Sequence, residues 1–331
     1  MRFIAVLFSA IAHLALLQSC SAQGPTVSDS GYRIAGEKDS TVLPFELVDN
    51  RQLIKVKING RGPFTFGLDT GGGNLVTPEL AKQLGLKLTD GFQIGGAGEK
   101  RVPAWRTRVE RVEVGEITAT NQSFLVISLK DIQKAIGFKE FDGLLGHELF
   151  RSLTTRIDFE KREMTFTDPE KFRYQGEGEI IPFRLSGQIP QIEGEIDGIG
   201  GKIVIDTGDR SSLTLFVPFY QENPIRQKYP DRIKAVTGWG IGGPIPSEMF
   251  RLKRLGFGEI VLTDVVARLP LVTSGAFVRS DSIASIGSGL LKRFNVVFDY
   301  KRNRMILEKN RNFNYRDDFE NYILKESAGE I

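Results

Sequence analysis

Short runs of alternating apolar and polar residues dominate the sequence. Residues 53–58 alternate in this way and end at an Asn-Gly turn, and an aromatic run follows at 63–68. Residues 192–196 and 202–205 repeat this pair of runs in the second half of the chain. Such alternation, punctuated by Gly, Asn and Pro, is typical of half-buried strands. The pattern predicts an all-β fold with a few short helices.

Few segments carry a helical pattern. Residues 78–84 have Pro78 in the first turn and Gly85 just after the last, which are common positions for these residues at helix ends. Weaker helical patterns cover residues 129–136 and 289–294. We therefore expect helices only as short connections between strands.

The longest apolar run lies at the amino terminus. After Met1 and Arg2, residues 3–17 are apolar except for Ser9 and His13, and small residues follow. This run is shorter than the roughly 20 residues of a membrane-spanning helix. Its small-residue end is typical of an export signal, which we place at residues 1–22, followed by a tether at 23–40.

Two endings of this signal remain open. Small residues at Cys20 and Ala22 fit cleavage before Gln23, which would release a soluble secreted protein. Residues 17–20 resemble a bacterial lipoprotein box, in which Cys20 would be lipidated and retained. We favour lipidation because Cys20 is the only cysteine of the chain. The expected location is the periplasm or cell envelope of a bacterium, with membrane contact only through Cys20.

Composition restricts the chemistry further. The 331 residues include 44 Lys and Arg and 41 Asp and Glu, so a net charge of +3 gives no reason to expect nucleic-acid binding. Beyond the export signal there is no cysteine, and His147 is the one histidine. This excludes a cysteine nucleophile, an intrachain disulfide and a zinc site of several His or Cys ligands. We expect no cofactor and no metal, and a structural role for His147.

The two halves of the chain repeat each other over about 140 residues. Residues 156–166 correspond without a gap to 297–307. Each half also places an Asp-Thr-Gly tripeptide after an apolar strand, and Asp69 and Asp206 lie 137 residues apart. A period this long indicates a duplicated domain rather than a repeat array.

The repeat suggests how the chain is divided. We expect an amino-terminal lobe at residues 41–168 and a carboxy-terminal lobe at 176–310, joined by 169–175. Residues 311–331 would form a charged tail. Because both lobes belong to one chain, a site built between them does not require an oligomer.

Paired Asp-Thr-Gly turns suggest a specific chemistry. Two carboxylates about 3 Å apart cannot both ionise, so Asp69 and Asp206 would share one proton. The ionised acid can take a proton from water while the protonated acid donates to a substrate carbonyl, which is general acid–base hydrolysis. Thr70 and Thr207 can hydrogen-bond across the pair. Gly71 and Gly208 allow the turns because they have no Cβ. The positions that support the pair are therefore Thr70, Gly71, Thr207 and Gly208.

These motifs resemble those of the pepsin and retropepsin-like aspartic peptidases, and bacterial single-chain forms with both lobes are most similar. The resemblance covers about residues 45–310. It implies two pseudo-symmetric retropepsin-like β-barrel lobes in a pepsin-like bilobal fold, with Asp69 and Asp206 as the catalytic pair. It also implies that residues 144–146 and 285–287 pack behind the catalytic turns, and that the substrate is a polypeptide.

The same resemblance implies Gly-rich hairpins, called flaps, that close over the substrate. The residues similar to flaps are Ile94, Gly95, Gly96, Trp239, Gly240, Ile241 and Gly242. The spacing of Gly238, Gly240 and Gly243 also fits a dinucleotide-binding motif. Pro244 and Pro246 argue against the helix which that motif requires.

The second Asp-Thr-Gly departs from the family pattern because Asp209 and Arg210 follow it. Asp209 either points inward and raises the proton affinity of the pair, or it forms a surface pair with Arg210. The first case favours an alternative function, a catalytically impaired peptide-binding protein. A glycan hydrolase using the same two acids is a third possibility, although glycosidases use wider carboxylate spacings.

Overall fold

The computed structural model describes residues 31–324 as a mainly β protein. The expected export signal, Cys20 and the first eight residues of the expected tether lie outside the described residues. Tyr32 is buried, and the residues after it already pair with the body of the protein. Within residues 31–324, no helix is long and apolar enough to span a membrane.

The first half contains twelve of the described strands and three helices. These are β1 (Arg33–Ile34), β2 (Ser40–Pro44), β3 (Glu46–Val48), β4 (Arg51–Ile58), β5 (Arg61–Leu68), β6 (Leu75–Val76), α1 (Pro78–Leu84), β7 (Thr89–Ile94), β8 (Val102–Val114), β9 (Ile117–Val126), α2 (Lys130–Ile136), β10 (Gly143–Leu145), α3 (His147–Ser152), β11 (Thr154–Asp158) and β12 (Glu163–Thr167).

The second half, as far as residue 324, adds thirteen strands, three α-helices and two short 3-10 helices. These are β13 (Glu179–Pro182), β14 (Arg184–Ser186), β15 (Ile189–Ile196), β16 (Ile199–Asp206), β17 (Leu213–Leu215), α4 (Val217–Glu222), α5 (Ile225–Lys228), β18 (Ile233–Gly240), β19 (Gly243–Leu252), β20 (Leu255–Phe257), β21 (Ile260–Leu262), β22 (Val265–Pro270), β23 (Ala284–Gly287), α6 (Ser288–Leu291), β24 (Phe294–Asp299), a 3-10 helix (Tyr300–Arg302), β25 (Arg304–Lys309) and a second 3-10 helix (Phe319–Tyr322).

Three sheets organise these strands. The first has the order β1-β9-β6-β10-β5-β4-β8-β7, with β3 beside β4, and β8 also pairs with β9. The second has the order β18-β19-β22-β17-β23-β16-β15-β20-β21, with β14 beside β15. The third, β13-β25-β24-β11-β12-β2, takes strands from both halves.

The first two sheets repeat the same strand order. In one, β5 pairs in parallel with β10, and in the other β16 pairs in parallel with β23. The contact of Ile58 with Val112 between β4 and β8 is repeated by Ile196 and Leu255 between β15 and β20. The main difference is that the single strand β8 corresponds to two shorter strands, β19 and β20.

The third sheet joins the two halves through the gapless part of the sequence repeat. Its central strands β11 and β24 are antiparallel, and Arg156 lies opposite Val297. These are equivalent positions of the repeat, so each strand pairs with its own counterpart. On either side, Thr155 faces Phe298 and Ile157 faces Val296. A local two-fold axis therefore passes through this pair of strands.

The expected helix at residues 78–84 is confirmed as α1. The Thr77 side chain accepts a hydrogen bond from the Leu80 N–H, and Gly85 ends the helix with a φ of 70°. The second expected helix begins one residue late, as α2. The expectation for residues 289–294 was wrong in its extent, since α6 ends at Leu291 and buried Phe294 begins strand β24.

The carboxy-terminal segment packs against the second half as far as it is described. Tyr322 is buried, and its hydroxyl lies 2.6 Å from the Ser212 hydroxyl. Asp317 is fully buried beside Lys292 and Arg293. Residues 311–324 are therefore part of the folded body, despite the high charge of this segment.

Candidate active site

The two Asp-Thr-Gly turns occupy corresponding places in the two sheets. Asp69 directly follows β5, and Asp206 is the last residue of β16. A neighbouring parallel strand lies beside each turn, β10 in the first half and β23 in the second. In the first half, the Asp69 N–H donates a 3.0 Å hydrogen bond to the Leu145 carbonyl of β10. Both acids therefore sit on strands fixed at the centre of a sheet, and both are partly accessible.

Each carboxyl lies over the turn that carries the other. The Gly71 N–H donates to Asp69 Oδ1 and the Gly208 N–H donates to Asp206 Oδ1, both at 2.8 Å. A Cβ placed on Gly71 would lie 2.6 Å from Asp206 Cγ, and one on Gly208 would lie 2.6 Å from Asp69 Cγ. Only glycine therefore leaves room for the opposite carboxyl at these two positions.

A reciprocal hydrogen-bond network joins the turns beneath the carboxyls. The Thr70 N–H donates to Thr207 Oγ1 at 3.0 Å, and the Thr207 N–H donates to Thr70 Oγ1 at 2.9 Å. Each hydroxyl then donates to a carbonyl of the other half, Thr70 to Ile205 and Thr207 to Leu68. Both threonines are fully buried, so the network holds the two halves in register without solvent.

The pKa values of both acids are raised. Burial is the main cause for Asp69, opposed by hydrogen bonds from Gly71 and Asp206. The pKa of Asp206 is raised well above its ordinary value, first by burial and then by the negative charges of Asp69 and Asp209. The pair therefore retains one proton between its two carboxyls over a pH range in which isolated acids are ionised.

One of our two expectations, a surface pair of Asp209 with Arg210, was wrong, because Asp209 pairs with Arg268 instead. Both of its carboxylate oxygens lie 3.1 Å from Arg268 Nη2, and the side chains of both residues are nearly inaccessible. Burial raises the pKa of Asp209, but the Arg268 charge and hydrogen bonds from Ser211 and Thr214 outweigh it and lower the pKa overall. Asp209 is therefore a buried, ionised group beside the pair.

Arg210 points away from Asp209 and binds other partners. Its Nε lies 2.6 Å from Asp49 Oδ1, and its Nη1 donates at 2.9 Å to the carbonyls of Thr237 and Tyr322. Asp49 also pairs with Arg51, which contacts the opposite carboxylate oxygen. One carboxylate therefore holds two guanidinium groups, one from each half of the protein.

A cavity of about 340 Å³ lies above the two acids. Asp69 and Asp206 are on its floor, and residues 94–97 and 238–241 contribute to its opposite wall. Of the residues expected in flaps, the structure places these at the cavity: Ile94, Gly95, Gly96, Trp239, Gly240 and Ile241. A volume above about 300 Å³ is within the usual range for ligand-binding clefts.

The two hairpins contact each other over the cavity. The Gly98 N–H donates to the Ile241 carbonyl at 2.9 Å, and the Lys100 N–H donates to the Gly242 carbonyl at 3.0 Å. Gly242 is thus buried in the contact between the hairpins rather than at the cavity wall. Glu99 adds a 2.6 Å contact to the Thr273 N–H. Backbone hydrogen bonds therefore join the two hairpins to each other.

His147 begins helix α3 behind the first turn. Its Nδ1 and its backbone N–H both lie 3.0 Å from the Gly72 carbonyl, and its Nε2 lies 3.3 Å from Glu148 Oε1. These contacts support the turn and leave no ring nitrogen directed at the acids. The geometry is that of a structural residue.

The sequence motifs did not predict the arginines that line one side of the cavity. Arg51 and Arg268 both line it, yet neither belongs to a motif of the paired turns. A signal was present at Arg268, which is the one charged residue in the apolar strand β22. A lone arginine in a strand that is buried along its whole length requires a buried partner, and here that partner is Asp209.

A family model matches part of the first half of the chain. Residues 54–149 match the model of a family described as aspartyl protease. The match includes the first Asp-Thr-Gly and strand β10 behind it, and it supports an aspartyl protease family and, in general, a hydrolase. No curated protein matches the chain.

Proposed function

We propose that this protein is an aspartic endopeptidase whose catalytic groups are Asp69 and Asp206. The observation that carries the proposal is the reciprocal packing of the two carboxyls, each in contact with the glycine of the other turn. In the mechanism, the ionised acid takes a proton from a water molecule, which attacks the scissile carbonyl carbon. The protonated acid donates its proton to the carbonyl oxygen. Neither a metal nor a covalent intermediate takes part in these steps.

We further propose that the two halves form pseudo-symmetric, barrel-like lobes at residues 41–168 and 176–310, with the site between them. The circuit of pairings β9-β6-β10-β5-β4-β8, which β8 closes by pairing with β9, supports this for the first lobe. The repeated strand order supports it for the second. One chain supplies both acids, so activity would not depend on dimer formation.

A polypeptide would lie extended beneath the two hairpins. Residues 94–97 and 238–241 would contact it from above, with alternate side chains in pockets of the cavity. Gly98 and Ile241 are hydrogen-bonded to each other, so the two hairpins would separate when a polypeptide enters the cavity.

The test of this proposal is peptide hydrolysis by the full chain and by Asp69→Asn and Asp206→Asn. A mixed peptide library incubated between about pH 3 and 8 would be analysed by mass spectrometry. We expect cleavage by the wild type and a loss of at least about a thousandfold in each variant, since either substitution removes one of the two proton-transfer groups. Full activity in either variant would contradict the mechanism.

A second candidate function is peptide binding without hydrolysis. The observation favouring it is Asp209, whose charge adds to that of Asp69 in raising the pKa of Asp206. A statine-type peptide, which mimics the tetrahedral intermediate, separates the two functions. Binding of that peptide with no cleavage at any pH would support the second candidate, whereas cleavage would exclude it.

We also propose that the chain is exported and lipidated at Cys20, which lies outside the described residues. Labelling of cells with a palmitate analogue would test for lipid on the chain. We expect a labelled, membrane-associated protein and loss of both properties in Cys20→Ala. A soluble, unlabelled protein that begins at Gln23 would support plain secretion instead.

A further inference from the structure

The two sides of the cavity differ in chemistry. Apart from Asp69, Arg51 and glycines, the lining residues contributed by the first half are apolar, among them Leu75, Leu125 and Leu144. On the other side the lining residues include Arg51, Asp209, Arg210 and Arg268. A fold built from two similar halves thus presents an apolar wall on one side and a charged wall on the other.

The strand register identifies where this difference arises. In the first half, Leu75 of β6 pairs in parallel with Leu125 of β9. In the second half, Thr214 of β17 pairs in parallel with Arg268 of β22. These two pairs occupy equivalent positions in the two sheets, so Arg268 stands where the first half has Leu125.

The neighbouring strand shows the same change. Leu75 also pairs with Leu144 of β10, whereas Thr214 pairs with Ser285 of β23. The Ser285 hydroxyl is buried and has no hydrogen-bond partner among the described residues. Three leucines that surround an apolar pocket are therefore replaced by a threonine, an arginine and a serine.

Apart from the paired acids Asp69 and Asp206, the charged wall has more guanidinium groups than carboxylates. Asp209 balances Arg268, while Arg51 and Arg210 share the single carboxylate of Asp49. Three guanidinium groups thus face two carboxylates. Arg268 uses its Nε and both Nη atoms on Thr214, Thr237 and Asp209. Arg210 likewise uses its Nε and both Nη atoms on Asp49 and backbone carbonyls. Among the described residues, Arg51 is therefore the cavity-lining arginine that keeps donors for a ligand.

Symmetry relates the two walls to the substrate. The local two-fold axis relates Asp69 to Asp206, and the scissile carbonyl binds between them. The side chains on either side of the scissile bond then fall into pockets that the axis relates to each other. One of these pockets is the apolar one and the other is the charged one.

We propose that the cavity selects peptides with an apolar side chain on one side of the scissile bond and an acidic side chain, Glu or Asp, on the other. The apolar side chain contacts the wall around Leu125, and the acidic side chain accepts hydrogen bonds from Arg51, with the Arg268 charge nearby. This inference rests on the proposed function, because it concerns the substrate class of the same site.

The experiment compares matched peptides that differ at one of the two positions flanking the scissile bond. Glu, Gln and Leu are tested in turn at each position with Leu kept at the other, and kcat/KM is measured for the full chain. We expect one position to prefer Glu to Gln by about tenfold or more, the usual effect of one charge-assisted hydrogen bond. The other position should prefer Leu.

A double variant makes the second pocket resemble the first. Asp209→Gly with Arg268→Leu introduces the residues found at Gly72 and Leu125 in the first half. We expect the preference for Glu over Leu to fall by at least about tenfold at the acidic position, with the preference at the apolar position unchanged. Arg51→Gln is a second variant that keeps the Asp209–Arg268 pair intact, and it should lower the preference for Glu over Gln.

Binding measurements separate this inference from the proposal of hydrolysis. Statine-type peptides with Glu or Leu at the same positions are titrated into the wild type. Tighter binding of the Glu peptide without any cleavage supports the substrate class and contradicts hydrolysis. Equal or better use of Leu at both positions, in cleavage or in binding, would overturn the inference and leave hydrolysis untouched. Failure to bind any of these peptides would overturn both.

Discussion

Thr70 and Thr207 each donate a backbone hydrogen bond to the hydroxyl of the other, at 3.0 and 2.9 Å. The exchange places two strand ends from opposite halves of the chain back to back. Because each hydroxyl also donates to a carbonyl of the other half, four hydrogen bonds form in a space without solvent. The positions of Asp69 and Asp206 follow from this network, since each acid directly precedes one of the threonines.

Thr70→Val should weaken this junction. The substitution keeps the size of the side chain but leaves the Thr207 N–H and the Ile205 carbonyl without partners. Unpaired buried groups cost about 1–3 kcal/mol each, so we expect a loss of about 2–5 kcal/mol in the free energy of unfolding. Denaturant unfolding monitored by fluorescence measures this loss.

Thr70→Ser is the matched control, because it retains the hydroxyl and both of its hydrogen bonds. It should lose no more than about half as much stability as the valine variant. Equal losses in both variants would show that the methyl group, rather than the hydroxyl, stabilises the junction.

Gly71→Ala should separate the two acids. A Cβ at this position lies 2.6 Å from Asp206 Cγ, so the carboxyl or the turn must move. Small displacements of catalytic groups commonly reduce rates by about a hundredfold, and we expect a loss of this order in peptide hydrolysis. Gly200→Ala is the control, because the nearest atom to its new Cβ is 3.9 Å away. Wild-type activity in Gly71→Ala would show that the acids do not act as a closely spaced pair.

The sequence predicted much of this site because the residues that build it are consecutive and repeated. Asp69, Thr70 and Gly71 each have a role that follows from residue type, and their copies at 206–208 doubled the signal. The gapless repeat at residues 156–166 likewise begins in strand β11, which pairs with its own counterpart, β24. Where geometry is fixed by neighbours in sequence, the pattern alone predicts it.

The charged wall of the cavity could not be predicted in this way. Asp209 and Arg268 are 59 residues apart, and their contact depends on the packing of β22 beside β17. The sequence offered two surroundings for Asp209, inward or paired with Arg210, and neither named Arg268. Choosing a partner for a buried charge requires tertiary structure, because many arginines of the sequence are equally compatible with it.

The free energy of unfolding should depend on pH because the pKa of Asp206 differs between the folded and unfolded states. The folded-state pKa of Asp206 is raised, so between the unfolded value, about 3.9, and that raised value the folded protein binds more protons than the unfolded chain. The free energy of unfolding contributed by Asp206 therefore falls as pH rises through this range. Asp206 therefore contributes less to stability at neutral pH than at acidic pH.

Asp206→Asn should then be more stable than the wild type at neutral pH, although we expect it to be inactive. The gain in free energy of unfolding should shrink as the pH falls towards and below about 4, because the carboxyl then becomes protonated in the unfolded chain as well. Denaturant unfolding of both proteins at several pH values between about 4 and 8 measures it. A gain that is independent of pH would show that packing, rather than ionisation, separates the two proteins.

Peptidase activity should follow the same titration. Hydrolysis requires one proton on the pair, so kcat/KM should fall at high pH as that proton is lost and at low pH as a second proton binds. Because burial and two neighbouring charges raise the pKa of Asp206, the fall on the alkaline side should begin well above the ordinary range of a carboxyl group. A rate that increases steadily towards alkaline pH would contradict general acid catalysis by this pair.

Asp209 and Arg268 should each depend on the other for stability, because both side chains are nearly inaccessible to solvent. Arg268→Leu leaves a buried carboxylate without its partner and should cost about 3–5 kcal/mol in the free energy of unfolding. Adding Asp209→Gly removes that carboxylate, so the double variant should regain most of the loss. A coupling energy of about 3 kcal/mol in the double-mutant cycle (wild type, both single variants and the double variant), measured by denaturant unfolding, would establish the pair as mutually dependent.

The control is the exposed pair of Lys130 and Glu79, 2.9 Å apart, whose coupling should stay below about 1 kcal/mol. Equal coupling in the two cycles would mean that Asp209 is solvated, and the charged wall of the cavity would then lose its structural basis.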